Sequence, residues 1–152
     1  GTKFTFYLPA FEGSVEPLTM SAAETFPLGN GNGVLLIDDE ESILQMAKMA
    51  LEVHGFVVYA ALGGAAGINV FRQHSSEIDA VVVDMMMPEI DGSETIKALK
   101  SIRPDIPIVA SSGLRRPEYG KGNMESTVAF LSKPYSDEQL LQAIQLAMKT
   151  TL

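Results

Sequence analysis

Val-Val-Val-Asp-Met-Met-Met-Pro-Glu-Ile-Asp-Gly, residues 81–92, is the stretch that decides the fold of this chain. With Ile78 and Ala80 before it, the valine run is apolar without polar alternation, the pattern of a short strand covered on both faces. The run ends on an acid, Asp84. A loop containing Pro88 then leads to Gly92, where a helix pattern begins and runs to about residue 102, ahead of Pro104. Strand, acid, loop and helix make one unit of a β–α alternation.

The same unit recurs on both sides. Residues 34–37 form an apolar run ending in Asp38 and Asp39, followed by a helix pattern over 41–53. Its apolar face is expected to hold Ile43, Leu44, Met46, Ala47, Ala50, Leu51 and Val53, and Gly55 is a natural helix stop. A strand at 56–60 precedes a helix at about 63–74, weakened by Gly63, Gly64 and Gly67. Further strands are predicted at 78–83, 106–110 and 128–131. The last helix begins at Ser136, where Ser-Asp-Glu-Gln forms a capping box, and turns Leu140, Leu141, Ile144 and Ala147 inward. Between the fourth and fifth strands, Pro117, Gly120 and Gly122 leave only a short or frayed helix over 114–127. Five such units predict an α/β fold, a doubly wound five-stranded parallel sheet with helices on both faces.

Residues 1–33 differ. Pro9, Pro17, Pro27 and the Gly-Asn-Gly-Asn-Gly run at 29–33 read as a flexible linker over residues 11–33. Residues 2–8 alternate Phe4, Phe6 and Leu8 against Thr5 and Tyr7, a strand pattern with no partner strand nearby.

Composition narrows the function. The 152 residues suffice for one domain and a tail, and 46% hydrophobic residues can fill a core. Cysteine is absent, which excludes disulfides, thiolate metal sites and cysteine nucleophiles; two histidines disfavour a multi-histidine zinc centre. A net charge of −8 repels the phosphates of nucleic acids, so no nucleic-acid partner is expected. No apolar run approaches the ~20 residues that span a bilayer, and no signal peptide is visible. The expectation is a cytoplasmic segment without direct membrane insertion, even if a longer protein containing it were membrane-anchored.

In an open α/β sheet, ligands bind at the carboxyl ends of the strands. Those ends carry Asp38 and Asp39, then Asp84, then Ser111 and Ser112, then Lys133. Aspartates there can simply cap the following helices. Three acids gathered on one edge, however, repel each other unless a cation sits among them, and an oxygen-only ligand set suits Mg²⁺, with Mn²⁺ as the alternative. Asp84 can act as a nucleophile toward phosphorus, with a metal offsetting the charge on the transferring group. Lys133 precedes Pro134, with a cis bond expected between them; its ammonium can pair with Asp84 or with a phosphoryl oxygen. The Ser112 hydroxyl can bond such an oxygen too. Met85, Met86 and Met87 cannot converge on one ion from an extended loop and read as packing and loop residues.

These segments, LLIDDEES, VVVDMMMPEIDG, PIVASSG and AFLSKPY, in this order and spacing, resemble a response-regulator receiver domain, the phospho-accepting module of two-component and phosphorelay signalling. The resemblance covers residues 34–149 and assigns the receiver to 34–152. It implies a flavodoxin-like sheet with strand order 2-1-3-4-5. It also implies that Asp84 is the phosphoacceptor and Asp39 a direct Mg²⁺ ligand, with Asp38 acting partly through water and the Met86 backbone carbonyl as a further ligand. Ser112 would be the switch hydroxyl, Lys133 the phosphate-pairing lysine and Phe130 the rotating aromatic of the switch. Ser112 stands where threonine is commoner, which keeps the hydroxyl, while the broken helix at 114–127 departs from the usual output surface.

GTKFTFYLPA, residues 1–10, resembles the last strand of a histidine-kinase ATP-binding domain. Joined to a receiver, with no DNA-binding module after Leu152, it implies the carboxyl-terminal piece of a hybrid histidine kinase rather than a transcription factor. The implied partner is a phosphohistidine domain in cis or in trans, with a histidine phosphotransfer protein as a further recipient, and the acyl phosphate would dephosphorylate itself. Two readings of other classes, one an enzyme and one a cofactor binder, fit worse. A haloacid-dehalogenase-type phosphatase needs a second acid two residues after the nucleophile, where Met86 stands, and a flavodoxin-like cofactor site would have its phosphate repelled by Asp38, Asp39, Glu40 and Glu41. The remaining alternative is a receiver-like scaffold independent of phosphorylation.

Overall fold

The computed structural model describes Lys3, residues 29–113 and residues 129–150. In chain order the elements are β1 (Gly33–Asp38), α1 (Glu41–Val53), β2 (Val57–Leu62), α2 (Gly64–His74), β3 (Ala80–Asp84), α3 (Gly92–Ile102), β4 (Ile108–Ser112), β5 (Ala129–Ser132) and α4 (Asp137–Thr150). The five strands form one all-parallel sheet in the order β2-β1-β3-β4-β5. That is the doubly wound flavodoxin-like arrangement expected from the apolar, non-alternating strands.

Strand side chains alternate between two cores. Val34 and Leu36 of β1, Val82 of β3, Val109 of β4 and Leu131 of β5 pack with α1 and α4 through Leu44, Leu51, Leu140 and Ile144. Leu35, Ile37, Val81, Val83 and Ile108 pack on the other face with Phe71 of α2 and Ile96 and Leu99 of α3. β1, β3 and β4 are buried on both faces, which is why polar residues stand only at their carboxyl ends, while the edge strands β2 and β5 are partly exposed.

Several local expectations are corrected. In α1 only Leu44, Ala47 and Leu51 are buried, whereas Met46 and Val53 are 70% and 82% exposed; the helix offers the sheet a narrower stripe than its apolar content implied. The glycines of α2 do not fray it. A Cβ on Gly67 would lie 2.4 Å from Ile37 Cδ1, so the missing side chain lets the helix approach β1. Residues 29–33, expected as the end of a linker, are packed: Gly29 N–H donates to the His54 carbonyl at 2.7 Å, Gly31 N–H to that of Gly55 at 2.8 Å, and Gly33 opens β1. Gly55 ends α1 with φ 83°, the left-handed conformation that glycine tolerates. The Ser136 capping box is present, with Gln139 N–H donating to Ser136 Oγ at 3.3 Å and Ser136 N–H to Gln139 Oε1 at 2.9 Å. The strand pattern at residues 2–8 and the short helix expected over 114–127 lie outside the described residues.

Candidate functional site

The register of the sheet brings the acids together. Asp38 is the last residue of β1 and Asp84 the last of β3, on the central pair of strands. By alternation both continue the row of Val34, Leu36 and Val82, toward the α1 and α4 side. β5 lies at the edge, yet Lys133 follows it directly, and its N–H donates to the Ser112 carbonyl at 2.8 Å. The cis Lys133–Pro134 bond is present as expected.

Lys133 Nζ donates to Asp38 Oδ2 at 2.7 Å and to Asp84 Oδ2 at 2.8 Å. The sequence pointed to the second contact and not to the first. Asp38 and Asp84 are each 4% exposed, so burial weakens screening and strengthens both pairs. Their other oxygens are held by the backbone: Glu40 N–H donates to Asp38 Oδ1 at 3.0 Å and Met86 N–H to Asp84 Oδ1 at 3.2 Å. Asp39 is exposed, and it lines an open cleft with Gly63, Gly64, Pro88 and Glu89. Asp38, Asp39 and Asp84 each offer a carboxylate oxygen, all within 4.8 Å of one another. Among the described residues, one ammonium against three carboxylates leaves the cluster negative, and a hard, oxygen-only donor set of this spacing fits Mg²⁺ or Mn²⁺.

Burial disfavours the Lys133 ammonium, but its hydrogen bonds to Asp38 and Asp84, together with their charges, outweigh that and hold its pKa above the usual 10.5. A raised folded-state pKa means that this contribution to stability is complete below the unfolded lysine's value. It is lost as pH rises through the folded value. In metal-free buffer, the stability advantage of the wild type over Lys133→Met should therefore hold through neutral pH and shrink at alkaline pH. Urea midpoints across that range check this; the comparison cancels Tyr59, raised by its hydrogen bond to Glu77, whereas Tyr135, raised by burial and lowered by the Lys133 charge, shifts with the substitution.

Ser112 closes β4 and is buried, one residue beyond Ser111, which pairs with Asp84 in register. Phe130 is half-buried in β5 and lines a cavity with Leu131, Gln139 and Leu146. The Met86 side chain is 51% exposed, whereas Met87 is buried, in keeping with loop and packing roles. A feature missed in the sequence is an apolar groove of about 410 Å³ between α1 and the loop after β5. Ile43, Met46, Ala47, Pro134, Tyr135 and Leu140 line it, together with the charged Lys133, Glu40 and Asp137. Its one visible signal was the excess of apolar residues on α1.

The family model for the response regulator receiver domain matches residues 34–145. This chain belongs to that family. Among curated proteins it is 28% identical over 153 residues to the sensor kinase CckA of Brucella abortus, an alignment covering 95% of this chain and 16% of that protein. It is 27% identical over 117 residues to the transcriptional regulatory protein GlrR of Escherichia coli, covering 76% and 26%. The chain thus spans only a minor part of these relatives. Among solved structures, a receiver protein of Sinorhizobium medicae superposes with a TM-score of 0.71 at 28% identity, covering 80% of this chain and 98% of that one. The Vibrio cholerae chemotaxis protein CheY4 gives 0.70 at 28%, covering 77% and 98%. The receiver fold and its place in two-component signalling follow. Receivers of this family generally take Mg²⁺ and are served by phosphodonors such as histidine kinases. Among the described residues, no helix is long and apolar enough to cross a membrane.

Proposed function

We propose that this receiver accepts a phosphoryl group from a phosphohistidine onto Asp84. The observation that carries the reading is the buried Asp38–Lys133–Asp84 arrangement at the end of the sheet, with Asp39 beside it. An Asp84 carboxylate oxygen forms the new P–O bond while the P–N bond of the donor breaks, its electron pair returning to the imidazole, which takes up a proton. Asp38, Asp39, Asp84 and the Met86 carbonyl would hold Mg²⁺, which when bound offsets charge on the transferring group. Lys133 then turns from Asp84 to the phosphoryl oxygens. Ser112 provides a hydroxyl to the same group, and Phe130 follows it as the switch. The phosphoryl group afterwards passes to a histidine phosphotransfer protein or leaves by hydrolysis.

The domain context we propose is the carboxyl-terminal part of a hybrid histidine kinase. Residues 1–10 would be the remnant last strand of the ATP-binding domain, residues 11–33 a linker whose last turn packs on the receiver, and residues 34–152 the receiver, working on the cytoplasmic side. In support, the alignment with a sensor kinase takes in more of the chain than residues 34–152 comprise. The donor domain must deliver its phosphohistidine at Asp84, and the apolar groove, which shares Lys133 with the site, is where we place its docking.

Acetyl phosphate with Mg²⁺ should place one hydroxylamine-labile phosphoryl group on Asp84, located by mass spectrometry of the digested protein. Met46→Glu, on the groove wall, should leave that reaction intact and slow transfer from a phosphorylated histidine domain. A phosphoryl group on serine or histidine would overturn the reading.

A further inference from the structure

The peptide that follows Asp84 is closed off by the first residue of α3 more tightly than any side chain allows. Gly92 N–H points to the Met85 carbonyl at 3.4 Å. A Cβ on Gly92 would lie 2.5 Å from the Asp84 carbonyl oxygen, 2.6 Å from Met85 Cα and 2.9 Å from Met85 Sδ. The sulfur can move aside. The other two atoms are backbone and cannot rotate away. Glycine is required here for space, in contrast to Gly55 and Gly63, which adopt positive φ.

Neither side of this contact has slack. On the sheet side, Met85 N–H donates to the Ser111 carbonyl at 2.9 Å, tying the peptide to β4, while the Asp84 carboxylate is held by Lys133 and Met86. On the helix side, Asp91 caps α3 by accepting from Glu94 N–H at 2.8 Å, and Thr95 Oγ1 donates to the Asp91 carbonyl at 2.9 Å. Behind α3 stands α2: a Cβ on Gly64 would lie 2.4 Å from Thr95 Oγ1 and 2.9 Å from the Ile90 carbonyl oxygen. The start of α3 is therefore wedged between α2 and the Asp84–Met85 peptide. Overpacking of this kind is relieved by backbone shifts, and the peptide that carries Asp84 is the one pressed.

We infer that Gly92 is a positioning residue for Asp84, its bare Cα setting where the carboxylate stands relative to Lys133 and Asp38. The inference rests on the reading of Asp84 as phosphoacceptor. A displacement well under 1 Å at a reacting group is costly, so Gly92→Ala should lower the rate of Asp84 phosphorylation by acetyl phosphate at saturating Mg²⁺ by roughly tenfold or more. Rates are taken at a temperature where urea titration shows each variant folded. Gly67→Ala, which presses on the Ile37 side chain (Cδ1, Cγ1 and Cγ2) and on no backbone atom among its three nearest, is the control for overpacking; it should lose stability and keep its rate. Adding Met85→Ala to Gly92→Ala removes the sulfur contact. It should recover stability without recovering rate, since both backbone contacts remain, and it is the form assayed if the single variant does not fold. A folded Gly92→Ala protein labelled as fast as the wild type overturns the inference alone, as does a rate loss that Gly67→Ala reproduces. A wild type that takes no label overturns the acceptor reading, and this inference with it.

Discussion

Asp84→Asn should reduce phosphorylation by acetyl phosphate and Mg²⁺ to background while leaving the receiver folded. The two parts of this expectation have separate causes. Asp84 uses both oxygens, Oδ1 accepting from Met86 N–H at 3.2 Å and Oδ2 from Lys133 Nζ at 2.8 Å, whereas an amide has one acceptor oxygen, so one of these two hydrogen bonds survives the change and the other is lost. Lys133 also keeps its second acid, Asp38, at 2.7 Å, and no buried charge is left unpaired. The amide is not a nucleophile toward phosphorus, however, and the cluster loses one of its three carboxylates. Phosphoryl incorporation read by mass and an unfolding transition read by circular dichroism check the halves independently. Label retained by the variant would place the acceptor elsewhere.

Lys133→Met should have the larger effect on stability. It removes the cation that, among the described residues, Asp38 and Asp84 share, both 4% exposed, and leaves two carboxylates facing each other in a poorly solvated edge. Stranding buried charge in this way costs about 3 kcal/mol, so the metal-free variant should unfold at distinctly lower urea. Millimolar Mg²⁺ should restore much of that loss, because an ion bound only by the folded state stabilises it by mass action. Mg²⁺ should also bind the variant more tightly than the wild type, since no ammonium competes for the acids. Calorimetric titration and urea curves with and without Mg²⁺ test this. A variant equally stable without metal would mean that the acids escape the repulsion by other routes.

The strands β1, β3 and β4 were legible because each is buried on both faces, and a short uninterrupted apolar run has few other uses; β2 and β5, at the sheet edges, are partly exposed. The site was legible because polar residues are tolerated only where those runs end, so Asp38, Asp84, Ser112 and Lys133 mark the sheet edge by their position in the chain. Helix capping at Ser136 and the stop at Gly55 are likewise local, each satisfied within a few residues.

Other features depended on distance across the fold. Whether Met46 and Val53 are buried depends on how α1 lies on the sheet, and the periodicity of the helix alone does not state its rotation. The glycines of α2 read as weakness because propensity counts only what a helix loses, whereas Gly64 and Gly67 are filled by Thr95, Ile90 and Ile37 from elements remote in sequence. The packing of residues 29–33 rests on carbonyls of His54 and Gly55 that composition does not reveal. The residue types at the strand ends, and thus the chemistry available, are properties of the sequence by itself. That one ammonium bridges two aspartates 95 and 49 residues away, and that Gly92 abuts the peptide of Asp84, were decided by tertiary structure, because parallel pairing and helix packing set those separations.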